Sequence, residues 1–308
     1  MPKDIFARTA ERLSAGLIPK YNHNLNLSNS FAKLEWISAS KLAKDSIKLA
    51  SLLPPETTAI AGIPRSGMIP ASIIATLLHL PLYQLSETGE FERLGNGSRG
   101  KVYGFNKDET SLIAVIDDTT FSGRAIKKAK EIASTYSYKF IFNVVYYREN
   151  SIPVDNYVQV LNCPHLLEWN IVNNVVLKHL PTEKQPTSGV MLDIDGIIVH
   201  DKESGGKLLS PYLVPRTVTA PILVTGRQEK LREETEKLLL SYGAKWDKLI
   251  MMENGVNDSV QNIAEYKADI FSKKPFSFFL ESCPKQAEII FKISKKPVIC
   301  PVVEKIFQ

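Results

Sequence analysis

The order of hydrophobic and polar positions alternates between two periods along most of the chain. Leu112 to Ile116 is a continuous apolar run of β-branched and small residues, the pattern of a strand buried on both faces. It breaks off at Asp117 and Asp118, passes through Thr119, Thr120, Phe121, Ser122 and Gly123, and gives way at Arg124 to apolar positions at helical spacing. The same strand, turn and helix order recurs upstream. Thr57 to Gly62 predicts a strand, Ile63-Pro64-Arg65-Ser66-Gly67 a turn, and Ala71 to Leu80 a helix that begins at Pro70, a residue suited to a first helical turn. Short apolar runs predict further strands at Leu82 to Gln84, Phe140 to Tyr147, Tyr157 to Leu161, Val190 to Ile198, Pro221 to Arg227 and Phe278 to Ser282. Helical periodicity marks Phe6 to Leu17, Ser38 to Leu53 and Glu229 to Tyr242. Strands that alternate with helices in this way predict an α/β protein with mainly parallel sheets.

Three polar stretches interrupt the pattern: Tyr21 to Ser30, Ser86 to Thr110 and Lys178 to Gly189. The last has the Pro, Thr and charge content of a linker. A chain of 308 residues is long enough for two domains. The expected division is a first domain over 1–180 with an amino-terminal extension, a linker over 181–189 and a second domain over 190–308.

Composition changes this picture little. The chain is 44% hydrophobic and 23% charged, with a formal charge of +5, mild enough to suit phosphorylated ligands without arguing for nucleic acid. No apolar run reaches membrane-spanning length and the amino terminus lacks a signal-peptide core. Cys163, Cys283 and Cys300 have no metal-ligand spacing, which points to buried thiols in a reducing compartment. The expectation is a cytoplasmic protein with no membrane insertion; a homo-oligomer is possible.

The candidate chemistry begins at Asp117. Backbone N–H groups of a tight turn and of a helix amino terminus converge on an anion, and Thr120 and Ser122 add hydroxyls. The acids immediately before that cradle would repel a bare phosphate, so they should face sugar hydroxyls or a ligand-bound magnesium ion. A ligand with a phosphate, a ribose and a magnesium-bound diphosphate meets all three demands. Taken alone, two acids and a Gly turn also fit an ordinary strand end with solvated carboxylates.

Ile113 to Ala125, IAVIDDTTFSGRA, resembles the phosphoribosyl-diphosphate (PRPP) signature of the type I phosphoribosyltransferases. The resemblance implies that Asp117 and Asp118 hold the ribose, and that Thr119, Thr120, Phe121, Ser122, Gly123, Arg124 and Ala125 surround the 5′-phosphate. Pro64 to Gly67 resembles the diphosphate loop of that family, with Arg65 as the charged contact and Ser66 and Gly67 making the turn. The polar stretch Ser86 to Thr110 corresponds to a mobile loop that closes over the reaction; Arg93, Arg99 and Lys101 are its candidates to meet pyrophosphate. The amino-terminal extension is a candidate for the hood over the acceptor pocket, or else packs on the sheet. His165 and Trp169 are candidate pocket walls, although packing is the commoner fate of such residues. Phe121 stands where many purine enzymes of the family carry an acid.

After the linker, VMLDIDGII brings Asp193 and Asp195 two apart on a predicted strand, so that they point the same way. The motif resembles the DxDG of the haloacid dehalogenase (HAD) superfamily of phosphatases. That likeness implies Asp193 as nucleophile and Asp195 as general acid/base, with Thr225 of PILVTGR and Lys267 holding the phosphate. Glu281 of FFLES would complete a magnesium site with Asp193 and Asp195. Lys273 and Lys274, just before the last expected strand, compete for the lysine role but suit a surface turn. Ser282 stands where that family often has a second acid. Gly196 to Ala220 is too short for a large cap, which would leave the site open.

Together the two likenesses imply type I phosphoribosyltransferase and capless HAD-like folds in one chain, with Mg2+ as cofactor. The implied activity is transfer of phosphoribosyl from PRPP, leaning to a sugar hydroxyl of a glycan, then removal of the 5-phosphate. Fusions of this kind occur in capsule and polysaccharide pathways. The alternatives are a nucleobase phosphoribosyltransferase with a nucleotidase or regulatory domain, a nucleic-acid end-healing protein, and a PRPP sensor. The expected partners are PRPP and a phosphoribosylated acceptor, with no nucleic acid.

Overall fold

A computed structural model of the chain describes residues 35–86, 88–94, 111–120, 123–149, 151–161, 165–171, 190–199 and 213–308. Strand β1 (Glu35–Ile37) leads into helix α1 (Ala39–Leu52), whose N-cap Ser38 accepts a hydrogen bond from the Lys41 N–H and so satisfies an orphan donor of the first turn. Then come β2 (Thr57–Gly62), α2 (Met68–Leu78), β3 (Leu82–Leu85), β4 (Phe91–Arg93), β5 (Leu112–Thr119), α3 (Arg124–Ala133), β6 (Lys139–Tyr147) and β7 (Asn156–Val160). Six of these strands make one sheet in the order β4-β3-β2-β5-β6-β7, parallel except for β4.

The apolar run of β5 is explained by the two cores it separates. Ala114 and Ile116 pack with Leu42 and Leu49 of α1 and with Ala71 and Ile74 of α2. Ile113 and Val115 pack with Ile126, Ala129 and Ile132 of α3. A strand covered on both faces has no polar side to show. Helix α2 starts at Met68, ahead of the expected Pro70, because a proline in the first turn lacks only an N–H that has no intrahelical partner anyway. The stretch expected to be a polar loop from Ser86 carries β4, an antiparallel edge strand whose Phe91 stacks on Tyr83 at 4.5 Å; three residues are too few for periodicity to show.

Strand β8 (His165–Leu167) pairs in parallel with β1 as a separate two-stranded ribbon, and a 3-10 turn at Glu168–Asn170 follows it. The second large sheet is built from β9 (Val190–Leu192), β10 (Ala220–Gln228), β11 (Trp246–Met252), β12 (Phe278–Leu280), β13 (Val298–Cys300) and β14 (Lys305–Phe307). Helices α4 (Arg232–Ser241), α5 (Val260–Lys273) and α6 (Pro284–Ser294) connect them. The order is β11-β10-β9-β12-β13-β14, with only the last pair antiparallel. The chain thus runs on past Phe278 to Ser282 through a helix and two three-residue strands. The described residues thus form a mixed α/β protein with mostly parallel sheets.

The ribbon faces both sheets. Trp36 and Leu166 lie in the core of the second sheet with Leu192, Leu223 and Leu280, whereas their neighbours Ile37 and Leu167 lie in the core of the first. Alternation along a strand sends successive side chains to opposite faces, so β1 and β8 form a wall shared by the two sheets. Ser40 adds a polar tie, its Oγ donating to Glu304 Oε1 at 2.7 Å. Among the described residues, no helix is long and apolar enough to cross a membrane. The expected helix at Phe6 to Leu17, the polar loop at Tyr21 to Ser30, Cys163 and the linker lie outside the described residues.

Candidate functional site

Each large sheet reverses its direction of growth beside a central strand. In the first, β2, β3 and β4 proceed one way while β5, β6 and β7 proceed the other. The connections leaving β2 and β5 diverge, which opens a crevice at their carboxyl ends. A cavity of about 190 Å3 lies there, and Ser66, Asp117, Asp118, Thr119, Gly123 and Ala125 line it, all six singled out from sequence. Asn170 lines it as well, and nothing in the sequence pattern marked that residue.

Local geometry accounts for the glycines. A Cβ on Gly67 would lie 2.6 Å from Ile63 O and 2.7 Å from Asp117 Oδ1, so only glycine lets the first loop press against the end of β5. Gly123 has φ of 68°, a left-handed conformation that places it at the amino terminus of α3. Asp117 and Asp118 are both buried, and Asp117 Oδ1 accepts from the Asp118 N–H at 2.9 Å. Burial, then the neighbouring Asp118 charge, pushes the Asp117 carboxyl well above its ordinary value. Thr119 Oγ1 is buried with no hydrogen-bond partner, which leaves it for a ligand.

Other predicted residues are placed differently. Thr120 ties the turn to the segment after β6: its Oγ1 accepts from the Arg148 N–H at 3.0 Å and its carbonyl from Ser151 Oγ at 2.7 Å. Its hydroxyl oxygen thus accepts from the scaffold and keeps its O–H to donate. Arg124 opens α3 and is exposed. Arg65 is exposed and donates from Nη2 to Asn170 Oδ1 at 3.1 Å. Trp169 stacks on Tyr146 and donates from Nε1 to Asp118 Oδ2 at 2.6 Å, so it meets the site through Asp118. His165 sits in β8 opposite Glu35. Arg93 lies on the edge strand β4, opposite Tyr83, and not in a loop. Phe121, Ser122, Arg99 and Lys101 lie outside the described residues.

In the second sheet, β9, β10 and β11 run one way and β12 and β13 the other, which puts the crevice at the ends of β9 and β12. Asp193 follows β9 and Glu281 follows β12. Lys267, on α5, stands between them, its Nζ 2.9 Å from Asp193 Oδ1 and 2.7 Å from Glu281 Oε2, with Gln286 Oε1 at 2.9 Å. All three charged groups are buried, none more than 2% exposed. Burial, then the Glu281 charge, pushes the Asp193 carboxyl well above its ordinary value, and Lys267 opposes them. Lys273 is exposed and paired with Asp269, and Lys274 only caps α5.

Strand β9 ends at Leu192, so Asp193 and Asp195 lie in the segment after it, where Gly196 turns the chain with φ of 75°. The Asp195 charge also raises the Asp193 carboxyl. The Asp195 carboxylate pairs with Arg227, Nη2 to Oδ1 at 2.6 Å and Nε to Oδ2 at 3.0 Å. Thr225, fully buried, links the two: its Oγ1 accepts from the Arg227 N–H at 3.1 Å and donates to Asp195 Oδ2 at 3.4 Å. Ser282 Oγ donates to the Asp195 carbonyl at 2.7 Å. Among the described residues, no three His, Cys, Asp or Glu side chains gather as a metal cluster. Asp193 and Glu281 share one cation, Lys267, and these two carboxylates have the oxygen chemistry that a divalent ion takes.

No protein-family model and no curated protein matches the chain. Solved structures that resemble it include a purine phosphoribosyltransferase from Pyrococcus horikoshii, at 17% identity over 44% of this chain and 93% of that one, with a TM-score of 0.35. A xanthine-guanine-hypoxanthine phosphoribosyltransferase from Helicobacter pylori resembles it at 16% identity over 45% and 93%, with a TM-score of 0.36. An orotate phosphoribosyltransferase from Aeropyrum pernix does so at 18% identity over 39% and 70%, with a TM-score of 0.30.

Arg227 and Asn170 are neighbours of the candidate groups to which the sequence pattern gave no role, and Trp169, a candidate pocket wall, meets the site through Asp118. Arg227 was visible as the residue that closes PILVTGR. The contacts of Asn170 and Trp169 are made across 105 and 51 residues of chain, beyond the reach of any local pattern.

Proposed function

We propose that the chain is a bifunctional enzyme: it transfers 5-phosphoribosyl from PRPP to an acceptor, releasing pyrophosphate, and then removes the 5-phosphate from the product. The observation that carries this reading is the cavity at the first sheet's reversal, where the acid pair, the Ser66 loop and the Gly123 turn line one space. A phosphate, a sugar and a diphosphate each find matching groups there.

In the first site, Asp117 and Asp118 hold the ribose hydroxyls; a carboxyl with a raised pKa donates as well as accepts. The Thr119 hydroxyl and the N–H groups opening α3 take the 5′-phosphate. Arg65 and the Ser66–Gly67 turn take the diphosphate, where charge develops as the bond from the anomeric carbon to oxygen breaks and its electron pair leaves on pyrophosphate. The acceptor oxygen bonds to that carbon and gives up its proton to the departing pyrophosphate. A sugar hydroxyl is the proposed acceptor, because Phe121 offers no acid for base chemistry.

In the second site, an Asp193 oxygen attacks phosphorus and Asp195 gives a proton to the departing ester oxygen. Water then attacks the phosphoryl group on Asp193 and returns a proton to Asp195. Thr225 and Lys267 hold the phosphoryl oxygens. Asp193 and Glu281 would hold Mg2+, which supplies charge neutralisation at phosphate and favours the ionised carboxylates.

Two separate assays test the reading. Calorimetric titration should show PRPP binding that Asp118→Ala removes and Asp193→Asn leaves intact. Hydrolysis of p-nitrophenyl phosphate should show the reverse. Loss of both activities by either substitution would overturn the two-site account.

A further inference from the structure

Two consecutive residues each hold a charged side chain from one of the segments that border the first crevice. Asp118 comes from the end of β5 and Arg65 from the loop after β2. Trp169 Nε1–H donates to Asp118 Oδ2 at 2.6 Å, and Asn170 Oδ1 accepts from Arg65 Nη2 at 3.1 Å. Both belong to the single 3-10 turn after β8, and Asn170 also lines the cavity.

That turn is anchored from three directions. Leu166 and Ile171, on either side of it, are buried in the core of the second sheet, and Leu167 is buried in the core of the first. Glu168 accepts from the Ala39 N–H at the start of α1. The Trp169 indole stacks on Tyr146 with ring centroids 6.4 Å apart, and Tyr146 is fully buried and bonded to Asp45. A donor fixed this firmly fixes its acceptor.

We infer that Trp169 and Asn170 are positioning residues for the PRPP site, Trp169 setting the Asp118 carboxylate and Asn170 setting the Arg65 guanidinium from the turn that joins the two sheets. The inference rests on the PRPP reading given above. Asp118 is 3% exposed, and a buried carboxylate that loses a charge-assisted hydrogen bond is free to rotate away from the ligand. Arg65 is exposed and has a weaker hold to lose.

The two assignments separate by ligand. Asp118 reads ribose, present in both PRPP and ribose 5-phosphate, whereas Arg65 reads diphosphate, present only in PRPP. Trp169→Phe keeps a stacked ring and deletes the N–H. It should weaken both ligands about tenfold, the loss of one hydrogen bond to a charged group. Asn170→Ala should weaken PRPP about threefold, a solvent-screened bond at an exposed guanidinium, and leave ribose 5-phosphate unchanged. Calorimetry with each ligand and Mg2+ reads these values, and p-nitrophenyl phosphate hydrolysis should be unaltered in both variants. Affinities within twofold of the unmutated protein for Trp169→Phe would overturn the inference. So would a parallel loss of both ligands and of hydrolysis in both variants, which packing damage alone produces. Absence of binding of either ligand by the unmutated protein would instead remove the PRPP reading, and the inference with it.

Discussion

The guanidinium of Arg227 forks onto the carboxylate of Asp195, with Nη2 2.6 Å from Oδ1 and Nε 3.0 Å from Oδ2. Both side chains are partly exposed, 22% and 31%, so screening leaves the pair worth about 1 kcal/mol or less in stability. Its consequence is for chemistry. Lysine cannot reproduce the planar fork, so Arg227→Lys should release Asp195 from its present orientation. We expect kcat/KM for p-nitrophenyl phosphate to fall about tenfold, with the melting temperature nearly unchanged. A steady-state assay beside a thermal melt checks both.

Lys267 stands in the opposite regime. It neutralises Asp193 and Glu281 where all three are buried. Lys267→Met would leave two carboxylates facing each other without a cation, a loss of about 3–5 kcal/mol by analogy with broken buried ion pairs. Urea denaturation measures it. Adding Glu281→Gln should restore part of the loss, because one of the stranded charges is then gone; an additive double variant would contradict the shared-cation geometry.

At the first site, Gly67 is the backbone position that permits the crevice. An added Cβ would meet Ile63 O, Asp117 Oδ1 and Ile116 O at 2.6–2.8 Å, and none of these is a flexible chain end. Gly67→Ala should destabilise by about 1–3 kcal/mol and abolish PRPP binding as the loop is pushed off β5. Denaturation and titration calorimetry on one preparation read both effects.

Burial and Asp118 raise the Asp117 carboxyl well above 3.8. The folded chain then binds that proton more tightly than the unfolded chain. The stability linked to it is full below the ordinary carboxylate range and is lost as pH rises through the raised value, at up to about 1.4 kcal/mol per pH unit. Asp117→Asn keeps the acceptor for the Asp118 N–H and cannot ionise. Its urea midpoint should match that of the unmutated protein in acid and exceed it at neutral pH. Equal midpoints at both would contradict the shift.

How much of this was legible in the sequence depended on how local each cause is. The β5 run, the acids that end it and the Gly123 turn are contiguous, so pattern and chemistry could be read together. Lys267 was separable from Lys273 because Lys273 stands just before an expected strand, where a surface turn is expected. Strands β4, β8 and β13 were not legible, since three residues carry no period. The expected strand through Asp193 and Asp195 ran too far, since β9 ends at Leu192. The bond that Thr120 accepts from the Arg148 N–H was not legible, because that partner lies at the far end of β6. The wall formed by β1 and β8 needed the knowledge that Trp36 and Ile37 face different cores, which neither residue reveals by itself.

The central claim is that one chain adds phosphoribosyl and then strips its phosphate. The most direct test is the mass of the acceptor after incubation with PRPP and Mg2+, comparing the unmutated protein with Asp193→Asn across sugar and nucleobase acceptors. The account predicts that Asp193→Asn leaves a phosphoribosyl group on a sugar acceptor and that the unmutated protein leaves ribosyl alone. The same product from both proteins, or a gain on a nucleobase only, would contradict it.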